Sequence, residues 1–274
     1  MTQAVTQDCA RTVEIIAREA GDLALFHFRK LSSVPVEAKG HLDLVTAADQ
    51  EVEVFVTRAL TDAFPEDGVF GEEGAARPGT SGRTWVIDPI DGTFNFVRGG
   101  DQWAVSIGLY EGGRPIFGVL HVPVRAQTLV GGDGFSSTLN GVEMARRTGM
   151  KAAQAACGVG FHPVIPIDLR LDTLRFVLED ALMSFRCCGS ATLSLIEIAQ
   201  GQVDGYLGTG ESTWDLMAAL PILEQIGIGC TVDWAQTDLS DKLRFACGTP
   251  EFLDAVAPLI PFGTTIGGSI AQTG

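Results

Sequence analysis

Two aspartates three residues apart close an apolar run in the stretch WVIDPIDGTFNF, residues 85–96. Trp85, Val86 and Ile87 read as buried strand. Asp88 follows, Pro89 ends the strand ladder, Asp91 comes next, and Gly92-Thr93 supplies a tight turn. Desolvated carboxylates must be paired or metal-bound, so this strand end calls for a positive group. Two further acidic points sit where an apolar element meets a Gly-rich or polar turn: Glu72-Glu73 in FGEEG and Asp215 in STWDL. Singly, Glu72-Glu73 reads as a solvated turn, and Asp215 as an acid in the first turn of a helix, favoured by the dipole. Together, four or five carboxylates on separate elements, without a His or Cys cluster, suit magnesium better than zinc. Two such ions, typically about 4 Å apart, clamp the attacking and leaving oxygens of a phosphoryl transfer. Gly92 and Thr93 offer backbone N–H groups to a phosphate at a helix start.

The elements that must carry these groups show in the hydrophobic pattern. Val13, Ile16, Ala17, Ala20, Leu23 and Ala24 keep a helical period, with Asp8 a candidate N-cap. A second helix runs through Val52, Phe55, Val56, Ala59 and Leu60 and stops near Pro65. Short apolar runs lead into VFGEEG and make up TWVID. WAVSIGLY, PIFGVLHV and QTLVGG, separated by EGGR and PVRA, predict a meander of antiparallel strands. After about Lys151, strand-like and helix-like segments alternate. ACGVGF precedes a helix carrying Leu171, Leu174, Leu178 and Ala181, and SFRCC precedes the helical SATLSLIEIAQG. VDGYLG, the helical WDLMAALPILEQIG, GCTVDW and LRFACG follow, and a last helix begins near Pro250. Such alternation predicts a layered α/β half. Residues 1–147, helices plus antiparallel sheet, and 148–274, the α/β half, are read as two packed halves of one unit, with a cleft between them as the natural place for a site.

Composition narrows the ligand. The 274 residues are 46% hydrophobic, enough for a large core, and carry a formal charge of −15. That charge argues against nucleic acid, whose backbone needs a basic face, and against an anionic membrane surface. An anionic substrate would need cations to mediate the encounter. Cys9, Cys157, Cys187, Cys188, Cys230 and Cys247 form no CxxC pair and read as small core residues in a reducing compartment. The N-terminal MTQAVTQDCARTVEIIAREAG contains acids and no continuous apolar core, so neither a signal peptide nor a membrane span is expected, and a cytoplasmic location is. His41, His121 and His162 are isolated and read as structural or surface residues.

The motif set resembles the inositol monophosphatase family of magnesium-dependent, lithium-sensitive phosphatases. The matching pieces are DLVTAADQEVE (43–53), GEEG (71–74), WVIDPIDGTFNFVRG (85–99), GSAT (189–192) and WDLMAALPILEQIG (214–227), in family order over nearly the whole chain. The long central motif with its downstream WD helix is specific, whereas a bare GEE or WD is not. The resemblance implies a layered α-β-α-β-α sandwich, commonly a homodimer, holding two or three magnesium ions. It implies Glu72, Asp88 and the Ile90 carbonyl at a first metal, with Asp88, Asp91 and Asp215 around a second. Glu72 and Thr93 would orient and activate the attacking water, and Asp49 would hydrogen-bond Thr93. Gly92, Thr93, Gly189, Ser190 and Ala191 match positions lining the phosphate and alcohol pocket, with Asp215 also placed to meet a substrate hydroxyl.

The reaction implied is direct hydrolysis of a small phosphorylated alcohol or polyol without a phosphoenzyme, so positioning and charge neutralisation dominate. The superfamily also hydrolyses histidinol phosphate, sugar bisphosphates and adenosine 3′,5′-bisphosphate, and some relatives act as partners of the transcription machinery. In enzymes acting on inositol phosphates, an acid commonly lies seven residues before the WD aspartate. That position here is Gly208, so broad activity or a substrate other than inositol 1-phosphate is expected, and Gly208→Glu should favour inositol phosphate. The alternative is that Glu211, four residues before Asp215, fills the same place. Arg186 and residues 158–167 are expected as pocket walls.

Overall fold

The computed structural model describes residues 5–31, 36–40 and 43–260, with 36–40 and 43–45 described by backbone alone. His41 lies outside the described residues. The chain opens with α1 (Gln7–Phe28), whose Ala10, Val13, Ile16, Ala17, Ala20 and Ala24 form the buried stripe. Its N-cap is Thr6, not Asp8: the Thr6 hydroxyl accepts the Cys9 N–H at 3.1 Å, and Asp8 sits in the first turn. A short hairpin, β1 (Val36–Gly40) and β2 (Asp43–Thr46), leads into α2 (Ala47–Ala63). That helix starts on a capping box, in which Thr46 caps the Asp49 N–H and Asp49 accepts the Thr46 N–H in return.

An eight-stranded sheet follows. Its strands are β3 (Gly68–Gly71), β4 (Ala76–Arg77), β5 (Arg83–Asp91), then, after the one-turn helix α3 (Thr93–Val97), β6 (Ala104–Glu111), β7 (Arg114–Val122), β8 (Gln127–Gly132), β9 (Phe135–Leu139) and β10 (Val142–Glu143). Their order is β10-β9-β8-β7-β6-β5-β3-β4, and the antiparallel meander expected for β6 to β8 extends from β5 through β10. The β3–β5 pair is parallel, so both strands end on the same sheet edge. That brings the GEEG turn beside the end of β5.

The second sheet takes β11 (Ala156–Phe161), β12 (Ser184–Arg186), β13 (Gly205–Ser212), β14 (Gly229–Cys230) and β15 (Lys242–Gly248) in the order β12-β11-β13-β15-β14. Between β11 and β12 runs α4 (Ile167–Arg175), which passes into a π turn over Phe176–Asp180. The helices α5 (Ala191–Gln200), α6 (Trp214–Met217) and α7 (Ala219–Gln225) pack on the eight-stranded sheet on one side and on the five-stranded sheet on the other. The predicted WD helix is thus two short helices broken at Ala218. The chain's last described helix, α8 (Pro250–Val256), covers the outer face of the second sheet.

The result is an α-β-α-β-α sandwich with three apolar cores. One lies between α1, α2 and the first sheet, around Trp85, Ile87, Phe96 and Trp103. Another fills the central layer around Leu195, Leu216, Ile222 and Phe245. The third sits under α8, around Val159, Val177, Leu207 and Phe252. Burying such apolar area contributes roughly 25 cal/mol per Å², and these cores hold rigid the strand ends that carry the acids.

Candidate metal-binding active site

The acids meet because of one irregularity in β5. Pro89 does not end the strand. Asp88 pairs with Ser106 and Asp91 with Ala104, so three steps on β5 answer two on β6. A bulge absorbs the proline, which has no N–H for the ladder. It leaves Asp88 1% and Asp91 8% exposed at the strand's end, well inside the protein. The Ile90 N–H donates to Asp88 Oδ1 at 3.1 Å. Gly92 then turns the chain at φ +97°, and a Cβ there would meet the Gln102 carbonyl oxygen at 2.5 Å. Only glycine serves both needs.

Carboxylate oxygens of Asp88, Asp91 and Asp215 lie within 4.8 Å of one another. Asp215 arrives from the first turn of α6, where the Ser212 N–H holds its Oδ2 at 2.6 Å. Asp91 is held from α5: the Ser190 hydroxyl donates to its Oδ2 at 2.9 Å, and the Thr192 N–H donates to the same oxygen. Burial pushes Asp88 well above the usual carboxylate range, and the charges of Glu72, Asp91 and Asp215 push it further. Asp215 is raised for the same reasons, by burial and then by Glu211, Asp91 and Glu72. Burial also raises Asp91, against the pull of its hydrogen bonds from Thr192 and Ser190. Carboxylates in that condition must take up protons or a cation. The donors are hard oxygens and no sulfur lines the cavity among the described residues, which fits a magnesium-type ion.

These residues open into a cavity of about 370 Å³, lined also by Glu72, Ile90, Gly92, Thr93 and Gly189. Thr93 is locked in place: its hydroxyl lies 2.9 Å from Asp49 Oδ1 and 3.0 Å from the Ile90 carbonyl. Asp49 in turn takes the Thr46 N–H at 2.8 Å and the Thr46 hydroxyl on Oδ2. Burial raises its carboxyl, and the hydrogen bonds from Thr46 and Thr93 lower it. Ser190 and Ala191 line an adjoining cavity of about 350 Å³ that shares Asp91, Phe94, His162, Pro163, Gly189 and Glu211 with the first. Glu72, Asp88, Ile90, Asp91, Gly92, Thr93, Gly189, Ser190, Ala191 and Asp215 each line one of these two cavities, while Asp49 stands behind Thr93.

Several residues depart from the sequence reading. Glu211, not Gly208, lines the cavity. β13 carries a bulge at Gly210 (φ +89°), the unpaired residue between Thr209↔Arg244 and Glu211↔Leu243. The extra residue turns Glu211 to the face of Gly208, whose added Cβ would lie 3.0 Å from Glu211 Cγ and 2.3 Å from the Phe245 ring. Glu211 accepts the Tyr206 hydroxyl at 2.5 Å. Arg186 does not line either cavity; it sits on edge strand β12, bonded to Glu197 at 3.1 Å. Of residues 158–167, Val159, Gly160, Phe161, His162 and Pro163 do form walls. His162 therefore belongs to the cavity, while His121 is structural, buried against Thr128 at 2.9 Å. Cys187 is exposed rather than core.

Sequence reasoning missed three contributors. Lys242 lines the cavity, donates to the Ser212 hydroxyl at 2.5 Å and lies 5.6 Å from the Trp214 ring centre. Tyr206 anchors Glu211. Glu53 accepts the N–H groups of Glu73 and Ala75, both at 2.8 Å, and so fixes the turn that presents Glu72. The only sequence signal for Glu53 was its place in the DLVTAADQEVE stretch; Lys242 and Tyr206 lie in segments that read as ordinary strand.

The chain is similar to known proteins over most of its length. The model of the "Inositol monophosphatase family" matches residues 6–262. A protein of Xylella fastidiosa named "Nus factor SuhB" is 31% identical over 236 residues, 84% of this chain and 85% of that one. A Thermotoga maritima "Fructose-1,6-bisphosphatase/inositol-1-monophosphatase" is 28% identical over 80% of this chain and 82% of its own. The solved structure of a Thermotoga maritima IMPase superposes with a TM-score of 0.79 at 27% identity, over 92% of this chain and 96% of that one.

Proposed function

We propose that this chain, which belongs to the inositol monophosphatase family, hydrolyses the phosphate ester of a small polyhydroxy alcohol with magnesium as its cofactor. One observation carries the reading: three desolvated aspartates with oxygens within 4.8 Å stand beside a threonine hydroxyl fixed by a buried aspartate. Glu72, Asp88, Asp91, Asp215 and the Ile90 carbonyl are the residues that would hold two or three ions. Magnesium, when bound, neutralises phosphoryl oxygens and acidifies water, as this reaction class requires.

The chain's own residues do the positioning. The Thr93 hydroxyl has one proton, and with Asp49 taking it the oxygen lone pairs face the cavity as acceptors for a water. Glu72, steadied by the Glu53 clamp, is the second acceptor for that water. Gly92, Gly189 and the start of α5 at Ser190-Ala191 surround the phosphate. On the leaving-group side, Glu211 offers an acceptor and Lys242 a donor, a pair matched to neighbouring hydroxyls of a polyol. Phe94 and Pro163 give that subsite apolar walls. Inositol 1-phosphate is thereby within the substrate class, against the expectation built on Gly208. Lithium inhibition, a homodimer and a cytoplasmic location belong to the same reading; a membrane or nucleic-acid partner does not.

A panel of phosphorylated alcohols, histidinol phosphate, sugar bisphosphates and adenosine 3′,5′-bisphosphate, assayed for phosphate release with magnesium and with chelator, tests it. A second reading, contact with the transcription machinery, is supported by the name of the Xylella relative. A chain acting only as a partner would show no magnesium-dependent release on any member of the panel.

A further inference from the structure

Away from the acidic cavity, two cysteines face each other at an edge of the five-stranded sheet. Cys230 on β14 is in register with Cys247 on β15. The Thr231 N–H donates to the Ala246 carbonyl at 2.9 Å, a bond that flanks the cysteine pair instead of joining it. Cys230/Cys247 is therefore a non-hydrogen-bonded antiparallel pair. In such pairs the Cα atoms come to about 4.5 Å, with both side chains on one face. A disulfide accepts Cα separations of roughly 4.4–6.8 Å, so the backbone is already in range. The thiols are in contact, and that contact together with burial holds Cys247 well above the ordinary thiol range. Cys247 is sealed in the core. Cys230 is half-buried and lines a separate cleft of about 360 Å³ with Arg114, Leu220, Val232 and Trp234. A small reagent can reach one sulfur while the second waits behind it.

We propose that Cys230 and Cys247 form a redox modification site, closing to a cross-strand disulfide when a small disulfide such as oxidised glutathione enters the cleft. The Cys230 sulfur, its proton lost to water, attacks the reagent's S–S bond, which breaks and releases one glutathione. The Cys247 sulfur, also deprotonated, then attacks Cys230 and releases the second. Two protein thiols lose two electrons and two protons, and one glutathione disulfide becomes two thiols. The bond staples the base of the 231–246 excursion. That excursion carries Leu239, whose carbonyl accepts the Thr213 hydroxyl, and Lys242, which lines the acidic cavity. The competing pair, Cys187-Cys188, has one exposed and one buried member.

The test treats reduced full-length protein with glutathione disulfide, alkylates the remaining thiols, and cleaves at Glu and at Lys/Arg without reduction. The digest separates Cys230 from Cys187-Cys188 and from Cys247. The expected product joins the Cys230 and Cys247 peptides, and the treated protein melts roughly 5 °C higher for a loop of this length, an increase that dithiothreitol reverses. Cys230→Ser, at the half-buried position, should keep the fold and lose both the linked peptide and the shift. The proposal is overturned if both cysteines are recovered alkylated after the other thiols have been oxidised. A stable glutathione adduct on Cys230, with Cys247 alkylated on unfolding, overturns it equally.

Discussion

Replacing Asp88 by Asn should make the metal-free protein more stable while abolishing its chemistry. Two ionised carboxylates 4.8 Å apart repel by about 3.5 kcal/mol at an effective dielectric near 20. Asp88 faces Asp91 and Asp215 at or inside that distance, about 7 kcal/mol if all three were charged. Taking up a proton costs less. Relative to an unfolded pKa of about 3.9, holding Asp88 protonated at pH 7 costs about 4 kcal/mol. The raised carboxyl therefore sets the sign. Its contribution is intact below the unfolded pKa and is lost as pH rises toward the folded one, by about 1.4 kcal/mol per pH unit.

Asn removes this burden and keeps the acceptor that Oδ1 presents to the Ile90 N–H. In chelator at pH 7, Asp88→Asn should gain roughly 2–4 kcal/mol, and its stability should fall less steeply between pH 5 and 7. In magnesium it should lose the stabilisation that the ion gives the wild type, and turnover should fall by at least about a thousandfold. Urea unfolding across pH, with and without magnesium, together with a phosphate assay, reads all of this. A variant less stable than wild type in chelator, with an unchanged pH slope, would refute the electrostatic reasoning.

Other substitutions probe the remaining parts. Thr93→Ala should lower kcat by about 10²–10⁴ with little change in KM, and Thr93→Ser should restore much of it, because the hydroxyl held by Asp49 is the functional group; steady-state kinetics on both variants decide. Glu211→Gln should weaken the preference for a polyol phosphate over a simple alkyl phosphate by about ten- to hundredfold, read as a ratio of kcat/KM values. Gly208→Glu should not improve inositol phosphate hydrolysis. Its first side-chain carbon already meets Phe245 at 2.3 Å, so roughly 3 kcal/mol of stability should be lost, measurable by urea unfolding.

Much of the fold was readable because its signals are local. The helical period of Val13 to Ala24, the strand runs of the meander and the alternation after Lys151 each reflect one element burying one face. The acids at 72, 88, 91 and 215 were readable because charged residues closing apolar runs have few structural uses. What escaped were the two bulges. Pro89 reads as a strand breaker, yet the β5 ladder steps over it, and that step aims both Asp88 and Asp91 inward. Gly210 adds one residue to β13 and so brings Glu211 to the face of Gly208. Single-residue slips reverse which face a side chain takes, and spacing alone does not reveal them. Lys242 and Tyr206 reach the cavities only through sheet pairing between distant strands, so no local pattern marks them. Arg186 failed for the mirror reason: it is close in sequence to Gly189 but points along the sheet's outer edge to Glu197.

The central claim, that these carboxylates hold the ions that hydrolysis needs, is tested most directly by titrating magnesium into chelator-stripped wild-type protein. The quantity to follow is the initial rate of phosphate release from inositol 1-phosphate and glycerol phosphate. No release in chelator, a rise to saturation with magnesium, and a flat response in Asp88→Asn are the predicted results. Full turnover in chelator, or wild-type turnover in Asp88→Asn, would contradict it.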